Sequence, residues 1–370
     1  MNFGIREKLN GKNGNYLMKI LITGNLGYVG SEVVKYFRKK YSKSFIAGYD
    51  TAFFKNLITS TDPSIDRFLD LQYYGDVRNF NFKILDGYDF IVHLAAISND
   101  PMGLKFKSVT EDINYRFSVE LAKVAVSKGI KNFVFASSCS VYGSAGNEPR
   151  IEESKLNPLT DYAISKVNTE KALLKIDKGK TIFTCLRFAT ACGMSDRLRL
   201  DLVLNDFVAS ALLNNQIKIL SDGSPLRPLI NVQDMCRAFD WGIRRKIENG
   251  GQILVCNAGS NDWNFSVKDL ALSVQKHFDS CKVDINEDAQ PDKRSYRVNF
   301  DLFNNLAGSD FKPIKNLDDT ILDLISGLTK IGFNQKDFRN SNFMRLNILQ
   351  GLISSNHIDK DLYWINNEIR

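Results

Sequence analysis

From residue 18 onwards, short apolar runs alternate with segments whose apolar residues recur at helical spacing. In the segment 111–128, for example, Phe117, Leu121 and Val124 fall on one helical face, and Gly129 follows as a helix stop. Strands are predicted over 18–23, 44–49, 89–96, 131–137 and 181–189, and helices over 28–40, 111–128 and 161–176. This alternation predicts an α/β fold with a doubly wound parallel sheet, because parallel strands need crossover helices.

The other segments lack this alternation. Residues 1–17 are polar and rich in glycine and asparagine, which indicates a flexible leader. Residues 18–189 are assigned to the sheet domain, with a returning segment at about 216–258, and residues 190–330 mainly to a smaller, substrate-binding domain. Residues 331–370 form a C-terminal extension. A helical pair is predicted there from the apolar positions Phe343, Leu346, Leu349, Leu352 and Ile353.

Composition narrows the class of protein. The 370 residues are 44% hydrophobic and 25% charged, and the longest apolar runs fall far short of the ~20 residues that span a bilayer. Six cysteines in so long a chain do not predict a disulfide framework, which favours the cytoplasm. Three histidines, none beside a second ligand, predict no metal site. The net charge of +7 comes partly from helix ends such as 38–40, not from a stripe typical of nucleic-acid binding.

The first strand runs into a turn that carries Gly24, Gly27 and Gly30, and a helix begins there. Glycines let such a turn approach a pyrophosphate closely, and the free N–H groups of the helix start point at it. Asp50 stands twenty residues beyond Gly30, at the end of the second apolar run. An acid at this place binds the adenosine ribose of NAD and repels a 2′-phosphate. The alternative is a structural glycine turn with a surface aspartate.

Tyr162 and Lys166 lie four residues apart on a predicted helix and therefore on one face. A nearby lysine lowers the pKa of a phenol towards the range of a useful base. Spacing alone proves little, because Tyr36 and Lys40 have the same relation on the first helix. The difference is Ser138, which ends the preceding strand and is expected to face the same crevice as Tyr162, since ligands bind beyond the carboxyl ends of parallel strands.

With these motifs in order, residues 18–330 resemble the extended short-chain dehydrogenase/reductase family, specifically its NAD-dependent nucleotide-sugar epimerases and dehydratases. The resemblance implies a Rossmann-type sheet, a catalytic triad of Ser138, Tyr162 and Lys166, and a place in polysaccharide biosynthesis. The implied cofactor contacts are Gly24, Asn25, Leu26, Gly27, Tyr28, Val29, Gly30, Asp50, Asp76, Val77, Leu94, Ala95, Ala96, Asn114, Tyr162 and Lys166. The implied substrate contacts are Ser98, Ser138, Thr190, Asn205, Arg227 and Arg294.

Several of these positions have a plainer interpretation. His93 is expected to be a packed strand residue and not a catalyst. Asn114 is either a polar helix residue or a structural or relay group near the catalytic lysine. Arg227 and Arg294 are either solvated surface charges or ligands of a diphosphate, which suits the planar guanidinium group.

The positions after the triad serine bear on the reaction. Family members that eliminate water or decarboxylate carry an acid there, whereas this chain has Cys139 and Ser140. Thr190 stands where 4-epimerases often have an asparagine. The resemblance then implies an NAD-dependent epimerase acting on a nucleotide-diphosphate sugar, most simply at C4. A dehydrogenase or ketoreductase with the same triad, a 4,6-dehydratase and an NAD-binding regulatory protein remain as alternatives. A homodimer is expected, paired through the helices over 111–128 and 161–176.

Overall fold

Seven parallel strands form the central sheet of the protein. The computed structural model describes residues 18–62, 65–144, 148–289 and 295–365, so the predicted leader and Arg294 lie outside the described residues. In chain order the sheet strands are β1 (Lys19–Thr23), β2 (Phe45–Asp50), β3 (Leu71–Tyr74), β4 (Phe90–His93), β5 (Asn132–Ser138), β6 (Ile182–Phe188) and β10 (Ile253–Ala258). Their spatial order is β10-β6-β5-β4-β1-β2-β3, which confirms the predicted doubly wound sheet.

Helices cover both faces of this sheet. The α-helices are α1 (Tyr28–Lys40), α2 (Asp100–Lys105), α3 (Lys107–Thr110), α4 (Ser118–Ser127), α5 (Asp161–Lys175), α6 (Val203–Asn214), α7 (Val232–Arg244), α8 (Val267–Gln275), α9 (Asp301–Phe311), α10 (Leu317–Lys330) and α11 (Arg345–Ser354). Short 3₁₀ helices cover Ile65–Phe68, Val77–Asn79, Phe82–Leu85, Cys139–Tyr142, Asn261–Trp263 and Phe338–Asn340. None of the helices among the described residues is long and apolar enough to cross a membrane.

Alternate residues of the central strands enter two separate cores, as the pleat of a strand requires. Ile22 of β1 packs with Phe37 of α1 and Phe239 of α7 on one face. Leu21 packs with Leu121 of α4 and Leu173 of α5 on the other. Because both faces are buried, these strands are continuous apolar runs, and this is why the sequence predicts them so directly.

The boundaries differ from the prediction in places. The fourth strand ends at His93 and not at residue 96, because the N–H of Leu94 bonds the Thr23 carbonyl at 3.0 Å and the chain then leaves the sheet. Strand β3 was not predicted, since this edge strand is only partly buried and carries two polar or exposed positions. Between α3 and α4 the helix widens into a π-helical segment, Glu111–Phe117, a feature that apolar spacing does not reveal.

A smaller layer of structure lies beyond the carboxyl ends of the strands. It contains a three-stranded sheet of β7 (Thr190–Cys192), β9 (Leu226–Asn231) and β11 (Asn264–Ser266), and a pair of β8 (Gln216–Ile219) and β12 (Lys282–Ile285). These strands pack with α6, α8 and α10 around a third apolar core. The chain returns to the large sheet through α7 and β10, while β8, at the start of the predicted returning segment, belongs to the smaller layer.

The C-terminal extension differs from the predicted helical pair. Its described residues form one α-helix, α11, after which the chain turns back through an isolated antiparallel bridge between Ile358 and Trp364. Leu349 and Ile358 are buried in the same core as α4 and α5. The apolar positions of this segment therefore serve packing and not a second helix: Leu346, Leu349, Leu352 and Ile353 lie in or against the core shared with α4 and α5, and Phe343 lies in the core of the smaller layer.

Candidate active site

Two connected cavities lie at the carboxyl ends of the parallel strands. The smaller, of about 150 Å³, is bounded by the glycine turn, the end of β2 and the chain after β4. The larger, of about 1040 Å³, is bounded by Ser138, α5 and the smaller layer. Residues that line both cavities mark the passage between them: Tyr28, Val29, Leu94, Ala96, Ser98 and Arg199. This is the place where an open α/β sheet binds its ligands.

The glycine turn is packed too closely for any side chain. Gly24 has a φ of +76°, and a Cβ atom there would meet the Ala95 backbone nitrogen at 2.6 Å. A Cβ atom on Gly30 would lie 2.2 Å from the Gly24 carbonyl oxygen. The N-terminus of α1 carries no side-chain cap, so its first-turn N–H groups are left for an anion. Gly24, Gly27 and Gly30 line the smaller cavity, and this cradle fits a dinucleotide pyrophosphate.

Two carboxylates line the same cavity beyond the glycine turn. Asp50, at the end of β2, accepts hydrogen bonds from the N–H of Leu26 at 3.1 Å and of Ala52 at 2.7 Å. Burial raises the pKa of Asp50, and these two N–H groups act in the opposite direction. Asp76 holds the guanidinium of Arg78 in a bidentate ion pair. Val77 lines the cavity next to Asp76; the family resemblance implies that both contact the cofactor.

Ser138, Tyr162 and Lys166 meet at the wall of the larger cavity. Ser138 ends β5, and its hydroxyl oxygen accepts the N–H of Ser140 at 3.1 Å. Tyr162 is the second residue of α5, whose start is fixed by Thr160 as a cap that accepts the Ala163 N–H. The ammonium group of Lys166 donates to the Ala136 carbonyl at 2.7 Å and lies 5.5 Å from the centre of the Tyr162 ring.

Burial shifts the pKa values of both titratable groups away from the charged forms. Desolvation raises the pKa of Tyr162 to about 12, although a hydrogen bond with Ser138 acts to lower it. Desolvation also lowers the pKa of Lys166 to about 7, against a weaker opposite effect of Glu170. In the protein alone, the lysine therefore does not lower the tyrosine pKa as the sequence analysis expects. A phenolate at this place needs a further positive charge from the bound ligands.

Tyr36 and Lys40, which have the same spacing as Tyr162 and Lys166, line neither of the two cavities. The Tyr36 hydroxyl donates to the Asp240 carboxylate of α7 at 3.2 Å, and Lys40 forms an ion pair with the same carboxylate. Both residues join α1 to α7 on the face of the sheet remote from α5. Identical spacing thus produces a packing contact in one helix and a cavity wall in the other.

His93 and Asn114 are both bound within the protein. The ring nitrogens of His93 lie 2.7 Å from the Thr23 hydroxyl and 2.8 Å from the Ser118 hydroxyl, and burial lowers its pKa to about 3. It is a neutral, packed strand residue. Asn114, in the π-helical segment, exchanges two hydrogen bonds with the Ile97 backbone and donates a third to Ser165 on α5. Its geometry favours the structural alternative over a direct cofactor contact.

The other predicted contacts divide into two groups. Ser98, Thr190 and Arg227 line the larger cavity, and Leu94, Ala95 and Ala96 line the smaller one. Three predicted contacts turn inward instead. Asn25 donates to Gln72 at 2.7 Å, the Leu26 side chain is buried in the protein, and Asn205 is fully buried and bonds the backbone of Gly193 and Arg199. Of these, only the Leu26 backbone approaches the cofactor cavity, through its bond to Asp50.

The structure adds charged residues that the sequence analysis did not identify. Asp100, Asp201 and Asp206 line the larger cavity. Arg199 forms a bidentate pair with Asp201, at 2.8 and 3.0 Å, and Arg339 pairs with Asp206. Arg345 lines the smaller cavity from the C-terminal extension. No motif indicates these residues, because they come from three separate segments that only the folded chain brings together. Within the described part of the chain, no cluster of histidine, cysteine and carboxylate groups could hold a metal ion.

The chain belongs to the NAD dependent epimerase/dehydratase family, whose model matches residues 20–259. Membership identifies NAD as the cofactor, in agreement with the glycine cradle and Asp50, and it confirms the resemblance found in the sequence. Nucleotide-sugar epimerases and dehydratases with a Rossmann-type fold are therefore the class of enzyme to which this protein is related.

Individual relatives match this chain over only part of their own length. A UDP-glucose 4-epimerase of Lactobacillus helveticus is 30% identical over 183 residues, which are 48% of this chain and 53% of that protein. A dTDP-D-glucose 4,6-dehydratase of Dictyostelium discoideum is 25% identical over 281 residues, 72% of this chain and 63% of that protein. The chain thus spans about half to two thirds of the length of these curated relatives.

Solved structures support the fold over a longer range. MoeE5 in complex with UDP-glucose and NAD superimposes with a TM-score of 0.69 at 22% identity, over 84% of this chain and 99% of that chain. A Helicobacter pylori ADP-L-glycero-D-manno-heptose-6-epimerase gives 0.71 at 20% identity, over 87% and 98%. Together with the sheet order, these likenesses confirm the Rossmann-type fold.

Burial of Lys166 predicts a pH-dependent cost to stability. Its pKa is about 7 in the folded protein against 10.5 when solvated. Between pH 7 and pH 10.5 the unfolded chain therefore binds a proton on Lys166 that the folded protein has released. Stability must therefore rise with pH across this window. We expect Lys166→Met to raise the free energy of unfolding at pH 6 by on the order of 3 kcal/mol, and the gain to shrink almost to zero at pH 10.

Chemical denaturation of the ligand-free protein at the two pH values measures this effect. Lys171→Met changes an exposed lysine on the same helix and should show no such pH dependence. An equal effect of Lys166→Met at pH 6 and pH 10 would contradict the burial of a charged amine.

Proposed function

We propose that the protein is an NAD-dependent epimerase of a nucleotide-diphosphate sugar, acting at C4 through a transient ketone. The observation that carries this proposal is the position of Ser138, Tyr162 and Lys166, at the wall of the large cavity and next to the passage from the cofactor cavity. A sugar held in the large cavity would have one hydroxyl against these three side chains. Relatives with UDP-glucose 4-epimerase activity support the same reaction.

Each side chain has a separate role in this chemistry. Bound oxidised NAD supplies a hydride acceptor and a positive charge next to Tyr162. The Tyr162 oxygen takes the proton of the C4 hydroxyl and returns it to the rebuilt hydroxyl. Ser138 donates a hydrogen bond to the reacting oxygen, and Lys166, whose ammonium group lies 5.5 Å from the centre of the Tyr162 ring, would hold the hydroxyls of the cofactor ribose. The reaction needs no second acid–base pair, since the same group removes and returns the proton.

The larger cavity carries the charge expected for a diphosphate. Arg227 and Lys218, on strands of the smaller layer, line it, and Arg339 lines it too but is held by Asp206. Guanidinium groups suit phosphate oxygens because they offer paired donors. The hydroxyl of Ser140 is buried in the same cavity without a hydrogen-bond partner in the described structure, which suits a sugar hydroxyl.

The 4,6-dehydratase alternative needs a protonated acid near Ser138. Cys139 turns its thiol to the Arg187 carbonyl at 3.0 Å, and burial keeps its pKa well above the normal value. Asp201 reaches the cavity, but the Arg199 ion pair lowers its pKa below the normal value against the effect of burial, so it holds no proton to donate.

A dehydrogenase or ketoreductase would use the same triad with an exchangeable cofactor. A regulatory protein would have no use for the triad.

The catalytic role of Tyr162 leads to a direct test. Tyr162→Phe keeps the ring and its packing but removes the group that moves the proton. Turnover of the sugar substrate should fall by ~10²–10⁴-fold, while folding and NAD binding stay nearly unchanged. Ser138→Ala should cost less, because it removes one hydrogen bond and not the base. Activity is measured with UDP-, GDP-, CDP- and dTDP-sugars until a substrate is found.

The matched control is Tyr36→Phe, which removes a hydroxyl bound to Asp240 outside the cavities. It should leave turnover almost unchanged. Near-wild-type turnover in Tyr162→Phe, or a loss that is accompanied by unfolding, would refute the proposed mechanism.

Asp50 is proposed to select NAD over NADP. A buried carboxylate that faces a 2′-phosphate puts two negative charges together, so NAD should bind at least about tenfold more tightly. The Leu26 and Ala52 N–H groups bond different oxygens of Asp50, so Asp50→Asn keeps an acceptor for only one of them, but it removes the negative charge and should narrow the difference between the affinities for NAD and NADP. Titration of both cofactors into both proteins measures it. Equal affinities in the wild-type protein would remove Asp50 from this role.

A cytoplasmic homodimer is proposed as the form in which the enzyme works. All six cysteines are free and buried, which suits a reducing compartment. Ile164 and Leu174 of α5 are 41% and 50% exposed, which suits a contact between two copies. Light scattering should give twice the mass of the chain at micromolar concentration, and Leu174→Asp should weaken the pairing. A mass of one chain for the wild-type protein would contradict the dimer.

A further inference from the structure

The C-terminal extension contributes a buried arginine to the cofactor cavity. Arg345 and Leu349 of α11 line the smaller cavity together with Gly27 and Gly30 of the glycine turn. Arg345 is the first residue of α11 and is 1% exposed. The match to the family model ends at residue 259, so this part of the chain lies outside it.

The surroundings of Arg345 leave its charge poorly satisfied. One terminal nitrogen, Nη2, donates to the Arg197 carbonyl at 2.6 Å, and the guanidinium lies 4.6 Å from the centre of the Phe54 ring. The other terminal nitrogen, Nη1, is buried without a hydrogen-bond partner in the described part of the chain. A buried cation with an unused donor is costly unless an anion completes its site.

Nearby charges add to this cost. Burial, followed by the effect of Arg199, lowers the pKa of Arg345 to about 9, and Arg197 acts in the same direction. The carboxylate of Asp201 acts oppositely, but it is already held by Arg199 and by the Asn99 amide at 2.7 Å. Arg345 thus lies near other arginines in a cavity that also includes the start of α1, which favours an anion, while Asp50 of the same cavity offsets part of the positive charge.

We propose that Arg345 binds the pyrophosphate of NAD, opposite the glycine turn. The glycine turn offers backbone N–H groups to one side of the pyrophosphate, and the guanidinium offers an unused donor to the other. This inference rests on NAD as the cofactor and is independent of the reaction at the sugar. The substrate diphosphate is a less suitable ligand, because Arg345 lines the smaller cavity and not the larger one.

The rest of the extension contacts the chain beside Asp50 and beside Asp76. The indole N–H of Trp364 donates to the Thr51 carbonyl at 2.8 Å, next to Asp50. The Tyr363 ring lies 3.5 Å from the guanidinium of Arg78, which pairs with Asp76. The extension therefore contacts the segment that carries Asp50 and the segment that carries Asp76. We expect it to slow the release of NAD as well as to strengthen its binding.

Binding of nucleotide fragments isolates the role of Arg345. The full-length protein, freed of bound nucleotide, is titrated with NAD, ADP and adenosine, using calorimetry for the first two and ligand-observed NMR for adenosine. In Arg345→Met, NAD and ADP should bind about 30-fold or more weakly, because a buried charge pair is lost, while adenosine binding stays within about twofold. Arg345→Lys keeps the charge but loses the fork and should give an intermediate loss.

Each outcome decides for or against the proposal. An equal loss for all three ligands would mean that Arg345 only shapes the pocket. An unchanged affinity for ADP, with weaker binding of UDP to the NAD-loaded protein, would assign Arg345 to the substrate instead. Arg116→Met replaces an exposed arginine and should change none of these affinities. If Arg345→Met does not fold, unchanged ADP binding in Arg345→Lys would equally refute the proposal.

Discussion

The close contact between the glycine turn and the chain after β4 is the constraint on which the site depends. Gly24 lies against the Ala95 backbone, and Gly30 at the start of α1 lies against the Gly24 carbonyl, both at distances that exclude a Cβ atom. The turn thereby leaves a cavity shaped by backbone atoms. It also fixes the path of residues 94–98, of which Leu94, Ala96 and Ser98 line both cavities. The parallel sheet adds the remaining groups, because Asp50 ends β2 and Ser138 ends β5, and all parallel strands of one sheet present their carboxyl ends at the same edge.

Around this contact lie three titratable side chains whose charged forms are disfavoured by burial. Tyr162, Lys166 and Arg345 all carry pKa values displaced by burial towards the neutral form. Buried cations such as Lys166 and Arg345 cost free energy unless charges of the opposite sign complete their surroundings. NAD has a positive nicotinamide ring at one end and a negative pyrophosphate in its middle, so it provides positive charge for a tyrosine phenolate and negative charge for an arginine.

The sequence predicts the features that depend on local chemistry. The glycine turn, Asp50 and the proposed triad follow from spacing beside buried strands; the structure places them at the walls of the two cavities, and their roles stay predictions. Asn205 and Asn25 are predicted to contact ligands, yet Asn205 donates to the Arg199 backbone and Asn25 donates to the Gln72 side chain. The spacing of residues along the chain does not reveal such internal hydrogen bonds. Arg199, Arg339 and Arg345 escaped prediction because their positions result from tertiary packing. The π-helical segment was missed since it keeps ordinary helical periodicity in its apolar residues.

The central claim is that one hydride leaves C4 of the sugar and returns to the same carbon. Its most direct test uses the active nucleotide sugar with deuterium at C4, in ordinary water, and follows the label by NMR and mass spectrometry. The account predicts that the C4 epimer retains the deuterium at C4 and that no NADH accumulates. Deuterium at C6 with loss of water, or its exchange with solvent, would contradict it.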